Sequence, residues 1–441
     1  MRQSLYKDLL KLGLPIIIGQ LGIIILSFAD TMMVGRCGTA ELAAASFVNN
    51  MFNLVIVFST GFSYGLTPVV GNHFGRGESA SVGRVLKNAL AVNAVAAAVL
   101  MLIMYALYHN VHRLGQPSEL LPLIRPYYIV LLISLLPVLL FNAFKQFADG
   151  ITDTVTPMCV LLGGNAMNIL LNWVLIYGKL GAPAMGLMGA GIATLTSRML
   201  MLLAFAIIFC SAKRYRPYVE GFRQAHINRE DFVLLNKMGM PVGLQMGMET
   251  ASFSLSTIMV GWLGTVALAA HQVMLTVGQL GFMMYYGMAA AVAVMASNQH
   301  GQKNLHAVRT TVSAGFRIIL AMAAMVSIPL LIFRSSLGFM FTDSAEVAAM
   351  VSSLVIPFVI YQFGDGLQCN YSNALRGISD VKMVSVYAFI AYFLISLPSA
   401  YLFGFIFNWG LTGIWLSFPL GLTTAGLFFY FRFRNQLIEL H

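Results

Sequence analysis

The chain has 441 residues, 59% of them hydrophobic and 10% charged, with a mean hydropathy of +0.80; a soluble domain carries about 25% charged residues, so that class is excluded and the bilayer is the solvent. The formal charge of +10 does not point to nucleic acid, because Lys and Arg are spread over alternate loops instead of gathered in one stretch. No P-loop, H-E-x-x-H or dinucleotide fingerprint is present, which disfavours ATP-driven work.

Residues 1–11 are basic and lead into an apolar run too long for a signal-peptide core, without an A-x-A-like site, so this stretch is expected to stay as the first span. Apolar runs of about 20 residues then recur, the length a helix needs to cross roughly 30 Å of hydrocarbon. They predict spans at 12–34, 47–70, 83–108, 122–147, 155–178, 186–211, 236–262, 272–297, 307–333, 349–374, 381–404 and 410–432. Lys and Arg crowd the N-terminus, the loops after even-numbered spans and the C-terminus, so both termini are expected in the cytoplasm. The linker at about 212–236, with Lys213, Arg214, Arg216, Arg223 and Arg229, reads as a solvated loop near lipid headgroups. Cys37, Cys159, Cys210 and Cys369 fall in or beside different spans and are expected to be free thiols, with no transition metal.

The chain repeats itself at an offset of 226 residues. Gly13-Leu14-Pro15 meets Gly239-Met240-Pro241, Met33-Val34-Gly35 meets Met259-Val260-Gly261, and Gly38-Thr39 meets Gly264-Thr265. A slightly different offset aligns Gly150-Ile151-Thr152-Asp153 with Gly377-Ile378-Ser379-Asp380. Six spans per half is an even number, so the halves enter from the same side and are expected to be related by an axis along the membrane normal, with the substrate path between them. The expected lobes are residues 1–220 and 221–441. Pro15 and Pro241 occupy equivalent positions, where a missing backbone bond permits a shared bend.

Of 16 acidic residues, Asp30, Glu249 and Asp365 alone are expected well inside spans. Each costs roughly 2.5–3.5 kcal/mol near the bilayer centre, a cost that points to ion coupling or substrate binding. The repeat places Ser256 opposite Asp30 and Ile23 opposite Glu249, so these acids are not scaffold copied into both halves. Asn165, Asn168 and Asn172 share one helical face. With Asp30 and Thr194 they offer hard oxygen ligands to a small cation, or polar glue between helices worth about 0.6 kcal/mol per contact. Tyr361 lies four residues before Asp365 and Phe253 four after Glu249, which suits an organic cation through cation–π attraction, or plain aromatic packing. His271 reads as a packing histidine before a proton relay. The 27 methionines are routine membrane filler or an adaptable cavity lining.

Two motifs mislead. Gly61-Phe62-Ser63-Tyr64-Gly65 fits the hydrolase G-x-S-x-G pattern, but inside an apolar helix without the strand-to-helix elbow that chemistry needs. Asn370-Tyr371-Ser372 fits a glycosylation acceptor but lies in or at the edge of a span.

Leu12-Gly13-Leu14-Pro15, Phe28-Ala29-Asp30-Thr31, Met240-Pro241 with Glu249, Ala269-Ala270-His271-Gln272, Tyr361-Gln362-Phe363-Gly364-Asp365 and Leu375-Arg376-Gly377 form an ordered set. In that order and spacing the chain resembles, over essentially its whole length, the multidrug and toxic compound extrusion (MATE) transporters and their NorM-like branch above all. The resemblance implies an all-α integral membrane fold of twelve transmembrane helices in two pseudo-twofold-related six-helix lobes. It implies efflux of small amphipathic, often cationic compounds in exchange for Na+ or H+, by a monomer in the lipid bilayer of a bacterial inner membrane, with no enzymatic activity and no cofactor beyond the coupling ion. It further implies a cation site at Glu249, Tyr361 and Asp365 with Phe253 nearby, and first-lobe coupling at Asp30, Asn168, Asn172 and Thr194. Other branches carry an aspartate where this chain has Asn172. The rivals are a flippase for lipid-linked sugars or phosphates, whose anionic cargo favours a Lys- and Arg-rich cavity where only Arg198 is expected here, and a membrane-embedded enzyme, for which no nucleophile and base pair emerges.

Overall fold

The computed structural model describes residues 2–439; residues 1, 440 and 441, which the expected lobes include, lie outside that range. Its long helices are α1 (Arg2–Gly35), α2 (Thr39–Gly75), α3 (Ser79–His109), α4 (Ser118–Gly150), α5 (Val155–Tyr177) and α6 (Leu187–Ser211), then α7 (Arg229–Gly261), α8 (Thr265–Gly301), α9 (Leu305–Ile332), α10 (Ala345–Gly377), α11 (Lys382–Ile406) and α12 (Gly410–Glu439). Eleven are long and apolar enough to cross a membrane. The exception, α7, has 33 residues, ample for a crossing, but Arg229, Glu230, Asp231, Lys237 and Glu249 leave it no comparably apolar stretch. No strand occurs among the described residues. The helices overrun several expected spans, α1 and α2 most at their N-terminal ends, because the backbone ladder continues beyond the apolar core.

The repeat is visible in the backbone. After α4, Thr152 adopts φ 66° and Asp153 N–H returns to the Ala148 carbonyl at 2.8 Å; after α10, Ser379 adopts φ 66° and Asp380 N–H returns to Leu375 at 2.9 Å. Both are the left-handed helix stop that exhausts the last orphan carbonyls. The two aspartates then diverge. Asp153 caps α5, accepting from Thr156 N at 3.2 Å and from the Tyr215 hydroxyl at 2.5 Å, whereas Asp380 accepts from Arg432 Nε at 2.7 Å. Burial, then the bond to Asp153, holds the Tyr215 hydroxyl protonated far above the usual tyrosine range.

The linker is more than the solvated loop expected from its composition. Residues Arg216–Gln224 form a helix set so tightly on α3 that a Cβ on Gly83 would lie 2.1 Å from the Tyr218 carbonyl oxygen, and one on Gly221 2.4 Å from that of Ala80. Arg84 pairs with Asp231 at 2.9 Å, Lys87 donates to the Ala225 carbonyl at 2.8 Å, and Arg214 reaches Asp153 at 3.1 Å. Composition showed the outer face, Lys213, Arg216, Arg223 and Arg229, all exposed; the small residues that permit backbone contact carry no charge signal.

Packing divides the chain into two compact units, Ile18–Gly243 and the chain from Leu244 together with the segment up to Ile17. This differs from a cut at 220/221. α1 and α7 each begin in one unit and end in the other, and the two crossing points are separated by the repeat offset. Local packing repeats accordingly. In one unit a Cβ on Gly13 would meet Met288 and Ala291, and in the other a Cβ on Gly239 would meet Phe62, while one on Gly65 would strike the Gly239 backbone; Met288 and Ala291 are equivalent to Phe62 and Gly65 in the repeat.

Candidate functional site

Each unit carries its own polar cluster among apolar helices. In the unit Ile18–Gly243, Asp30 on α1 accepts a short hydrogen bond from Asn172 Nδ2 on α5. Asn172 Nδ2 also donates to Asn168 Oδ1 at 2.9 Å, and Asn168 Nδ2 reaches Ser197 Oγ at 3.1 Å and Thr194 Oγ1 at 3.5 Å on α6. The chain of amides exists because i, i+3 and i+7 positions of α5 point one way. Asn165 shares this face and is buried, with Nδ2 unpartnered among the described residues. Asn172 is fully buried, and its Oδ1 accepts from no described donor. Arg198 donates to Ser134 Oγ at 2.6 Å and lies close enough for its charge to act on Asp30. Thus Asp30, Asn168, Asn172 and Thr194 come together as a contiguous set.

In the other unit, Glu249 on α7 accepts from Gln368 Nε2 on α10 at 3.1 Å, and the same amide donates to the Tyr392 hydroxyl on α11 at 2.7 Å. Asp365, 1% exposed, lies one turn before Gln368 and takes only the weak Cys369 thiol, Sγ to Oδ1 3.5 Å. Asp365 Oδ2 and Gln368 Oε1 are buried acceptors with no donor among the described residues. Phe253 and Tyr361 meet edge to face at 6.3 Å, and Phe418 and Trp415 extend the aromatic wall, 4.9 Å from Phe253 and 6.1 Å from Tyr361. Glu249, Tyr361 and Asp365, with Phe253, therefore line one side-chain neighbourhood. No ion pair among the described residues includes Asp30, Glu249 or Asp365. No group of three or more His, Cys, Asp or Glu forms among them either. Uncompensated carboxylate and amide oxygens suit a hard monovalent cation or a proton.

His271 is fully buried; Trp415 Nε1 donates to its Nδ1 at 3.1 Å and its Nε2 faces Thr257 Oγ1 at 2.9 Å. Since the indole can only donate, Nδ1 accepts and Nε2 carries the proton, the arrangement of a satisfied packing histidine. Ser63 lies within a helix, donating to Asn93 Oδ1 at 2.7 Å, and Asn370 is fully buried, out of reach of glycosylation. All four cysteines are free.

Gln368, Tyr392 and Ser197 do not stand out in the sequence, and Cys369 was legible only as a free thiol. Gln368 carried a usable signal, seven residues after Tyr361 and three after Asp365 on the same face. Tyr392 carried none, because its direction depends on a wide helical turn over Ile390–Ser396. Arg376, 4% exposed beside Tyr286, is a buried arginine additional to the expected Arg198.

The MatE family profile matches residues 15–174 and 241–402, two copies whose starts are the repeat-related Pro15 and Pro241. The chain is 30% identical over 424 residues to multidrug resistance protein NorM of Aliivibrio fischeri, covering 95% of this chain and 92% of that one. It is 28% identical to multidrug resistance protein MdtK of Yersinia pseudotuberculosis over 438 residues, 97% of this chain and 95% of the other. A mutant of the Vibrio cholerae MATE transporter VcmN has a similar fold, with a TM-score of 0.91 at 18% identity, covering 99% of this chain and 98% of that one.

Proposed function

The chain belongs to the MatE family, and from that premise we propose that it is a multi-pass multidrug efflux antiporter that exports amphipathic organic cations in exchange for Na+ or H+. Its setting is the bacterial inner membrane, with both termini on the cytoplasmic side, and it works as a monomer. The observation that carries the reading is the pair Glu249 and Asp365, held among apolar helices without a basic partner among the described residues and beside the Phe253 and Tyr361 rings. An unsatisfied buried polar group costs about 1–3 kcal/mol and a charged one more, so a cation that engages Asp365 Oδ2 and Gln368 Oε1 gains what the protein alone does not supply.

The two cargoes compete for that charge. A small cation suits the carboxylate and amide oxygens; an organic cation takes the carboxylate charge and the aromatic faces, each worth about 0.5–2 kcal/mol. Alternating access follows if one conformation favours one cargo, since only differential affinity shifts a conformational equilibrium. The oxygen set of Asp30, Asn168, Asn172 and Thr194 is a second coupling site. Equilibrium binding of radioactive sodium to the purified protein tests the reading: Asp365→Asn should lower sodium affinity at least tenfold at pH 8. Unchanged sodium binding, together with unchanged pH-driven transport, would exclude the assignment.

A further inference from the structure

Within the unit that follows Leu244, a cavity of about 590 Å³ opens where α9 begins and α12 ends, lined among others by His306, Arg309, Tyr371, Tyr430, Phe433 and Arg434. We propose that this cavity binds the phosphodiester headgroup of an anionic membrane phospholipid.

Arg309 and Arg434 are exposed on different helices, converge on one cavity and have no carboxylate partner among the described residues. The acids of the neighbouring segments are engaged elsewhere, Asp380 by Arg432 at 2.7 Å and Glu439 by Gln436 at 2.7 Å. Two guanidinium forks facing one space match phosphate oxygens, which accept paired N–H bonds. His306 and Arg309 lie in the first turns of α9, whose Asn304 cap accepts from Ala307 N at 3.0 Å. The positive end of a 28-residue helix therefore faces the same space.

The apolar wall distinguishes a lipid from a soluble anion. Tyr371 and Tyr430 stack edge to face at 5.1 Å with Phe433 at 5.9 Å, and Leu437 and Val312 continue the lining. Tyrosines with one apolar and one polar end at the termini of spanning helices mark the headgroup level. The cavity lining includes none of Glu249, Tyr361, Asp365, Gln368 or Tyr392, so it is distinct from the cation cluster.

Native mass spectrometry of the full-length protein, delipidated and then supplied with dioleoyl phosphatidylglycerol or dioleoyl phosphatidylcholine, tests the site. Wild type should retain one phosphatidylglycerol where phosphatidylcholine dissociates. Arg309→Gln with Arg434→Gln should lower that occupancy at least fivefold, while Lys382→Gln, an exposed charge after α10, should leave it unchanged. Arg309→Lys, which keeps the charge and loses the fork, should give an intermediate loss, and this milder variant decides the matter should the double variant misfold. Phosphatidylglycerol retention unaltered by the arginine substitutions, or equal retention of phosphatidylcholine, would overturn the proposal. Displacement by a tenfold excess of inorganic phosphate would overturn the lipid as occupant and assign the cavity to a soluble phosphate.

Discussion

Gln368 connects three helices through one amide, donating to Glu249 on α7 and Tyr392 on α11 from its place on α10. Gln368→Leu removes both bonds and leaves Glu249 without its amide donor, so a loss of stability of about 1–3 kcal/mol is expected, read as a lowered Tm in detergent, with coupled efflux reduced about tenfold. Asn172→Leu acts the same way on Asp30, stripping the carboxylate of its described donor. A different outcome is expected at His271. His271→Ala removes the acceptor of the Trp415 indole and opens a buried void, so Tm should fall by several degrees while the pH profile of residual efflux keeps its shape. A shifted profile would make the histidine a proton relay. At this scale the acids, the asparagine face and the aromatics were legible because charge in an apolar run is costly and helical spacing sets direction. Gln368 and Ser197 were not singled out, since a neutral polar residue in a span is common and its partners lie on other helices.

Between residues and the molecule stand elements whose geometry departs from a straight rod. α11 is widened over Ile390–Ser396 and again over Leu402–Ile406, the first of these turns aiming Tyr392 at Gln368. Wide turns of this kind gather at functional sites, and no periodicity in an apolar stretch announces them. The linker helix depends on Gly83 and Gly221, at each of which a Cβ would strike neighbouring backbone. Gly83→Val is therefore expected to lift Arg216–Gln224 from α3 and to speed tryptic cleavage at Arg223 at least fivefold. Cleavage at the wild-type rate would show that the contact does not hold the linker. The helices themselves were readable from length and apolarity, α7 least, because its charges interrupt the signal that the other eleven display.

Over the whole molecule the repeat carries the most information. The repeat, found in glycines and prolines, recurs in the starts of the two family-profile matches and, shifted by one residue, in the paired helix stops at Thr152 and Ser379. What it did not reveal is that the packing units exchange the beginnings of α1 and α7, because an equivalent residue has the same type whichever unit it packs in. A consequence is measurable: fragments cut between Gln224 and Arg229 should be unstable when expressed singly, since each unit draws a helical segment from the other fragment, and should assemble when co-expressed. A stable, monodisperse single fragment would contradict that dependence. The central claim is that the carboxylates of Glu249 and Asp365 couple cation entry to drug export. It is tested most directly by efflux of a fluorescent organic cation from proteoliposomes, driven in turn by a sodium gradient and a pH gradient, in wild type, Glu249→Gln and Asp365→Asn. The expected result is gradient-driven efflux in wild type and at least a tenfold loss in both variants, with Tm within a few degrees of wild type; efflux at the wild-type rate in both would contradict it.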